Sequence, residues 1–574
     1  MRNKEVADLL YEIADLLEMK EVEWKPRAYR RAARNIESLS EEIDEIHDRG
    51  ELQEIDGVGE SIAEKVSEYL ETGELGYYDE LKDELPVDID ALKSVEGVGP
   101  KTAKDLYIEL GVTDLDDLEE AAESGEIAGL EGYGEKTQEK ILEGIGLARK
   151  SQERMLLGEA FPITQDIRET VEGFESIDTA TVVGSFRRRR PTVGDVDILA
   201  TSGVPEEASD SFCDMRDVKE VLTKGETKTS VLVSGDLRVD LRIVAEDAYG
   251  SALQYFTGSK DHNIRVRNIA IEKDWKLNEY GLFDVEDDAE PEEGDRIAGE
   301  TEEEIYEALG LDYIPPELRE DTGEVDAARN GDLPDLVEVD DISGDLQTHT
   351  DYSDGSNTVR EMAQKADEIG HDYLLVTDHG PALRVAGGPS SRDDFEEQKD
   401  EIDEVNADDE IGVEVLFGAE ANITDDGLDI SEETSEIFDV LVAALHSSPD
   451  EPTDRIVSAL EEYPVDVLAH PLNRKINERE SLDIDLDAVV AKAADENVAL
   501  EINSQPARLD MPWNHVKEYR GDVKYVISTD AHSTSELDHM HLGVSQARRG
   551  WCEPDDVLNT RDLDGLLSYF ESDD

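Results

Sequence analysis

Two aspartates one residue apart, Asp195 and Asp197, follow the segment GSFRRRRPTVG, and a third acid, Asp240, stands in LRVDLRIV. Val196, Ile198 and Leu199 frame the first pair in a strand. Residues two apart on a strand point to one face, so both carboxylates meet the same ions. Residues 237–244 alternate apolar and polar, as a half-buried strand does. Three carboxylates on adjacent strands suit two Mg²⁺ ions about 3.5–4 Å apart, the pair that clamps attacking and leaving oxygens in phosphoryl transfer. An isolated Asp-x-Asp carries little information. Here a Gly184-Ser185 turn precedes it with nine residues between, and an acidic strand follows, which makes the pattern specific. Four consecutive arginines, Arg187 to Arg190, fall between turn and acids in a chain of net charge -90. Positive charge is concentrated where a polyphosphate would be held.

A second set of chemical groups lies downstream. Apolar runs there end repeatedly in metal-ligand residue types. Residues 373–376 lead to Thr377-Asp378-His379, 413–417 to Gly418-Ala419-Glu420, 440–445 to His446, 465–469 to His470, and 525–528 to Thr529-Asp530-Ala531-His532. Nine of the eleven histidines follow residue 345, and packing histidines would scatter over all domains instead. Imidazoles and carboxylates converging in this way suit Zn²⁺ or Mn²⁺. Helix-like segments separate the runs, and polar residues at strand C-termini are how β/α barrels build sites. His371, His515, His539 and His541 fit solvated loops.

A third pattern opens the chain. Ile55-Asp56-Gly57-Val58-Gly59, Val95-Glu96-Gly97-Val98-Gly99 and Leu130-Glu131-Gly132-Tyr133-Gly134 each precede an amphipathic helix. Glycines permit positive φ and close approach of a phosphate. The free N–H groups of the following helix attract anions. The three segments resemble helix-hairpin-helix motifs, which grip DNA backbone without reading sequence.

The first hairpin, with KPRAYRRAARNIESL upstream, resembles the N-terminal lyase domain of family X DNA polymerases. The resemblance implies Lys65 as a Schiff-base nucleophile, with Lys25, Tyr29 and Arg30 holding a 5′-phosphate. A basic residue usual one turn earlier is here Ser61, so Lys65 as a DNA-facing surface lysine stays open. GSFRRRRPTVGDVDIL resembles the same family almost position for position. By that match Ser185, Arg188 and Gly194 hold the incoming triphosphate; Asp195, Asp197 and Asp240 bind metal, with Asp240 near the primer 3′-hydroxyl. In YFTGSKDHNIRVRNIAIEKDWKLNEYGLF, Tyr255, Phe256 and Gly258 match positions packing the nucleotide sugar, and Asn263 and Arg267 positions facing nucleotide and template. With DLQTHTDYSDG, the C-terminal third resembles the PHP (polymerase and histidinol phosphatase) domain, a distorted barrel that hydrolyses phosphoesters. Its implied ligands are His349, Asp354, His379, Glu420, His446, His470, Asp530 and His532. Gln347 replaces the first histidine of the usual His-x-His.

These groups require a multidomain frame: an α-helical lyase-like domain over 1–85, fingers with two further hairpins over 86–150, an α+β nucleotidyltransferase palm over 151–250, a thumb over 251–335, and a PHP barrel over 336–574. The resemblance implies a gap-filling repair polymerase with a 3′→5′ exonuclease or an abasic-site or 3′-end processing domain. Its partners are gapped or primer-template DNA and deoxynucleoside triphosphates, with Mg²⁺ in the palm and Mn²⁺ or Zn²⁺ in the barrel. Two rivals stay open: a template-independent nucleotidyltransferase, and a PHP domain whose catalysis has lapsed at Gln347. Acids spread along a chain that still carries 38% hydrophobic residues argue against disorder and for adaptation to concentrated salt. Two distant cysteines, a charged N-terminus and the lack of a long apolar run lead us to expect a cytoplasmic monomer without a membrane segment.

Overall fold

The structure, a computed structural model, forms two compact units, Met1–Arg154 and Met155–Asp574. It describes residues 2–571 apart from 21, 23–24, 38, 40–42, 56, 73–74, 86, 88, 94, 96–97, 131–132, 135, 139, 143–144, 146–153, 285–293, 384–385 and 448. Gly97 and Gly132, expected at DNA-gripping turns, lie outside the described residues.

The first unit is helical. In the helix Lys25–Glu37, Tyr29, Ala32, Ala33 and Ile36 recur at helical spacing and are buried with Leu10, Ile13 and Leu17 of the helix Arg2–Met19. The helix Glu60–Thr72 adds Ile62, Ala63 and Val66 to this core. A second core gathers Leu92, Ala103, Leu106 and Leu118. Its helix Pro100–Leu110 starts with proline at a position that needs no N–H and ends at Gly111 with φ 75°.

The second unit begins with an α+β layer. Strands β1 (Thr179–Val182), β2 (Asp195–Thr201), β3 (Val218–Thr223), β4 (Lys228–Val233) and β5 (Arg238–Val244) form one sheet in the order β1-β2-β5-β4-β3. Only β2 and β5 run parallel. Val196, Ile198 and Ala200 face a core with Leu157 and Ala160 of the helix Leu157–Glu172. That alternation turns Asp195 and Asp197 to the opposite face. A thumb-like part follows, with antiparallel strands β6 (Trp275–Asn278), β7 (Gly281–Asp284) and β8 (Asp295–Ala298) packed by helices Lys260–Glu272 and Glu302–Leu309.

Seven parallel strands then pair in chain order: β9 (Gly344–Thr348), β10 (Tyr373–Val376), β11 (Glu414–Thr424), β12 (Val440–Ala444), β13 (Val467–Leu468), β14 (Ala499–Asn503) and β15 (Tyr525–Ser528). Thr348 bridges Ala531 in parallel, so the last strand returns to the first and the barrel nearly closes. Its strands are buried on both faces, as helix-covered parallel strands are. Barrel and palm share packing: Leu509 and Leu542 join the palm core. A Cβ on Gly158 would lie 2.6 Å from Pro506, so this junction requires glycine.

Candidate functional site

The palm site is built on one register. Parallel pairing sets Asp197 opposite Asp240 and Asp195 opposite Arg238, so all three acids share a face. Asp195 is exposed and Asp240 is buried. Gly184 (φ 67°) opens a single helical turn, Gly184–Arg187, and a Cβ there would lie 3.3 Å from Asp197 Oδ2. The Val183 N–H donates to the Asp197 carbonyl at 2.8 Å and fixes the Ser185 turn against β2. The acids are surrounded by cations. Lys228 Nζ lies 2.7 Å and Arg238 Nε 2.9 Å from Asp240; Arg242 Nε lies 3.2 Å from Asp197. Burial works against the Asp240 charge, but Arg238, Lys228 and Ser230 hold its carboxyl below the usual range. Burial, then the neighbouring Asp195, pushes Asp197 up. Arg242 offsets this only in part, so the two carboxylates on one face still disfavour each other's charge.

Tyr255 is exposed and packs edge-on to Phe256, whose ring lies 4.4 Å beneath the Arg242 guanidinium. Asn263 Nδ2 donates to the Tyr255 carbonyl at 2.7 Å, and Asn263 Oδ1 accepts from Gln254. Arg267 is exposed on the same helix, and Gly194 precedes the Asp195 strand, partly covered. Gly258 takes φ 69°, where a Cβ would lie 3.0 Å from Arg188 Nη1. The four arginines divide among distant partners that the sequence did not reveal. Arg187 grips Glu302 through two nitrogens, at 2.9 and 2.6 Å. Arg188 donates to Glu320 at 3.2 Å and to the Thr257 carbonyl at 2.5 Å. Arg190 reaches Glu320 at 3.4 Å, and Arg189 lies over the Phe161 and Phe186 rings.

In the barrel all eight expected ligands converge at the C-terminal strand ends. Glu420 is the centre. His379 Nδ1 lies 2.8 Å, His470 Nε2 3.0 Å, His446 Nε2 3.4 Å and His349 Nε2 3.6 Å from its oxygens. Asp530 lies 3.1 Å from His349, and Asp354 stands 3.5 Å from His379 and 3.4 Å from His532. Two groups of ligand atoms each gather within 4.8 Å: His349, Asp354, His379 and His532, and His379, Glu420 and His446. His470 and Asp530 sit in the left-handed region, φ 29° and 52°, a strained backbone that re-aims both ligands at their strand ends. Burial opposes the Glu420 charge, yet His379 and His446 hold it well below the carboxylate range. Burial likewise opposes a charged His532, but Asp354 and Asp530 lift it to about 9. Gln347 is 1% exposed, and neither atom of its amide finds a hydrogen-bond partner among the described residues. An orphaned amide beside clustered imidazoles and carboxylates fits a divalent-metal centre.

Supporting groups here escaped sequence reading. Asp378 accepts from Thr350 and Gln398 and holds the loop bearing Asp354. Glu501 accepts from the His470 N–H at 2.7 Å, Asn422 meets His446 Nδ1 at 2.6 Å, and Arg508 lies 3.5 Å from Asp530. Such partners fix ligand orientation. Only the Asp of Thr-Asp-His carried a signal, through its place beside a ligand. His371 is not a solvated loop residue but 7% exposed, because it enters the barrel strand β10 from below.

In the helical unit, Gly57 (φ 83°) is the one described hairpin glycine in the left-handed region; Arg31 Cγ would lie 2.9 Å from its Cβ. At Gly59, Gly99 and Gly134 a Cβ would instead meet no atom within 4 Å. Lys65 donates to Ser61 Oγ and O at 3.1 Å and lies 4.7 Å over the Tyr77 ring. Lys25 is exposed, Arg30 pairs with Asp15 and Glu18, and Tyr29 lies in the core, where burial, then Tyr77, pushes its hydroxyl up to about 12.

Comparison with known proteins follows the same division. Residues 1–75 match a helix-hairpin-helix domain family, 89–146 a SAM-like helix-hairpin-helix tandem, 252–320 the DNA polymerase beta thumb and 345–505 the PHP domain. The chain is 36% identical, over its full length and that of its relative, to the DNA polymerase/3′-5′ exonuclease PolX of Bacillus subtilis. DNA polymerase lambda of Rattus norvegicus is 26% identical over 55% of this chain and 56% of its own. A probable phosphatase of Clostridium botulinum is 34% identical over 28% of this chain and 64% of its own. Helical hairpins, a thumb, a PHP barrel and full-length similarity to such an enzyme place this chain in the family X DNA polymerases that carry a C-terminal PHP domain.

Proposed function

We propose that the chain fills gaps in DNA by template-directed addition of deoxynucleotides to a primer 3′-hydroxyl, and trims 3′ ends in its PHP barrel. The observation that carries the first half is the pairing of Asp197 with Asp240 on parallel strands, with Asp195 on the same face. Asp195, Asp197 and Asp240 would hold Mg²⁺, which when bound supplies the charge that stabilises phosphoryl transfer. Ser185, Arg188 and Gly194 hold the triphosphate; Tyr255, Phe256 and Gly258 pack its sugar, and Asn263 and Arg267 face nucleotide and template. Asp240 stays ionised between Arg238 and Lys228 and can accept a hydrogen bond from the primer hydroxyl. In the barrel, His349, Asp354, His379, Glu420, His446, His470, Asp530 and His532 would hold Mn²⁺ or Zn²⁺, which lowers the pKa of bound water.

The finer reading extends to base excision repair. Lys65 serves as the lyase nucleophile, aided by Lys25, Tyr29 and Arg30. Gly57, Gly59, Gly97, Gly99, Gly132 and Gly134 bring three helix ends to the phosphates. The five-domain division at 85, 150, 250 and 335 belongs to the same reading, as do a monomer, a cytoplasmic location and a salt-loving source. Among the described residues no helix is long and apolar enough to cross a membrane.

The deciding test is primer extension and degradation on a gapped duplex in molar KCl, with Mg²⁺ and then Mn²⁺. We expect template-directed filling with Mg²⁺. Extension that ignores the template would sink the polymerase assignment and favour the template-independent rival.

A further inference from the structure

Arg549 ends the helix Met540–Arg549, in the barrel part of the chain, yet Arg188 and Glu320, which accept its hydrogen bonds, are in the polymerase part. It is 1% exposed. Its Nη1 donates to the Arg188 carbonyl at 2.5 Å and to Glu320 Oε1 at 3.2 Å, and its guanidinium lies 5.0 Å over the Trp513 ring. The same Oε1 accepts from Arg188 Nε at 3.2 Å. Glu320 Oε2 faces Arg190 Nη1, a longer contact of 3.4 Å to a side chain 43% exposed. Arg188 is therefore not free for a nucleotide. It is held by Glu320 and by the Thr257 carbonyl, and must release the carboxylate to reach a triphosphate.

A buried carboxylate stripped of its partner is strongly disfavoured. Arg549 is a second partner already in contact with the same carboxylate oxygen. Its helix is wedged against the barrel: a Cβ on Gly543 would lie 2.1 Å from Ser504 Oγ and 2.6 Å from Ile527 Cγ2. We propose that Arg549 is a positioning residue for polymerisation, one that keeps Glu320 paired when Arg188 turns to the incoming nucleotide. The barrel domain thereby sets how readily the polymerase takes up its substrate. This rests on the reading of Arg188 as the triphosphate arginine.

The test is steady-state gap filling by the full chain, read as KM for the nucleotide against kcat, with near-ultraviolet circular dichroism as the fold control. Arg549→Met should raise KM about tenfold and leave kcat within about twofold, the signature of lost binding shared by ground and transition states. Glu320→Gln should lower KM, because the charge that detains Arg188 is gone. In Glu320→Gln, adding Arg549→Met should cost nothing further, a non-additivity expected of groups that act through one another. A wild-type KM in folded Arg549→Met overturns the proposal, and so does a penalty that persists in the double variant. If Arg549→Met does not fold, Glu320→Gln decides: a KM that fails to fall overturns it. Arg188→Ala separates the two layers. An unchanged KM there removes the triphosphate role itself, whereas a raised KM beside an inert Arg549→Met removes only the positioning role.

Discussion

Glu420 has four imidazole nitrogens within 3.6 Å of its carboxylate oxygens. A carboxylate so placed bridges the two ligand groups, while Asp530 and Asp354 close the side nearest His532. His379 belongs to both groups, so its loss should disrupt both. His379→Ala and Asp530→Ala are expected to lower 3′-end hydrolysis by about 10³-fold and leave gap filling intact. A nuclease that survives both variants would place that activity elsewhere. Gln347 makes the opposite prediction. Its amide is buried with no hydrogen-bond partner among the described residues, and an imidazole is a better ligand for zinc than an amide oxygen. Gln347→His should raise metal retention against a chelator about tenfold and raise hydrolysis with it. Retention that does not change would mean that this position lies outside the metal shell. In the palm, Asp197→Ala should abolish incorporation and leave hydrolysis intact, measured on the same gapped duplex.

At the scale of elements, the strand ends were readable and the links between elements were not. Five apolar runs ending in Asp, Glu or His announced the barrel mouth because strand period and polar termini are local properties. So did the Asp195–Asp197 pair, whose common face follows from spacing alone. The arginine motif shows the limit. Arg187 pairs with Glu302 and Arg188 with Glu320, separations of 115 and 132 residues, and neither glutamate stands in a recognisable pattern. Glu302 opens a helix capped by Thr301, where an acid is ordinary, so nothing in the sequence marks it as a hub. In the structure it sits between Arg187 and fully buried Arg319. Burial pushes its carboxyl up, but Arg319 and Arg187 reverse this and hold it at about 2, against an ordinary 4.5. A depressed folded pKa contributes stability above pH 4.5 that is lost as pH falls through 2. The shift corresponds to about 3 kcal/mol. Unfolding of the wild type should therefore become easier between pH 4.5 and 2. Glu302→Gln should be less stable at pH 7 by about 3–5 kcal/mol, since two guanidinium groups lose their partner, and its profile should lack this component. Denaturant melts at fixed high salt across that range check both points.

For the whole molecule, a net charge of -90 must coexist with a ligand that is itself a polyanion. Part of the acidity is placed where the fold accepts it. Asp116 and Asp117, Glu302 to Glu304, and Asp393 and Asp394 all stand in first helical turns, against the positive end of the helix dipole. On the proposed reading of a salt-loving source, solvent accommodates the remainder: at 1 M salt the Debye length is about 3 Å, and repulsion between surface acids is largely screened. Dialysis into dilute buffer should therefore lower the melting temperature steeply, and salt should restore it. DNA binding faces the converse problem. An ordinary basic binder gains affinity by releasing counterions and loses about 0.9 log units per phosphate contact for each tenfold rise in salt. In molar salt that gain is small, and this chain has no broad basic field to supply it. Its means of holding DNA are short-range. On the reading proposed above, they are the helix ends behind Gly59, Gly99 and Gly134 and exposed cations such as Lys25 and Arg267. Backbone N–H groups bear no net charge and displace few of the counterions condensed on DNA, so contacts made through them add affinity with little salt dependence. Binding to a gapped duplex, measured by fluorescence anisotropy from 0.5 to 3 M KCl, should show a slope of only about two to three contacts. A slope of six or more would mean that side-chain cations dominate the grip, and that the hairpins are not what holds the DNA.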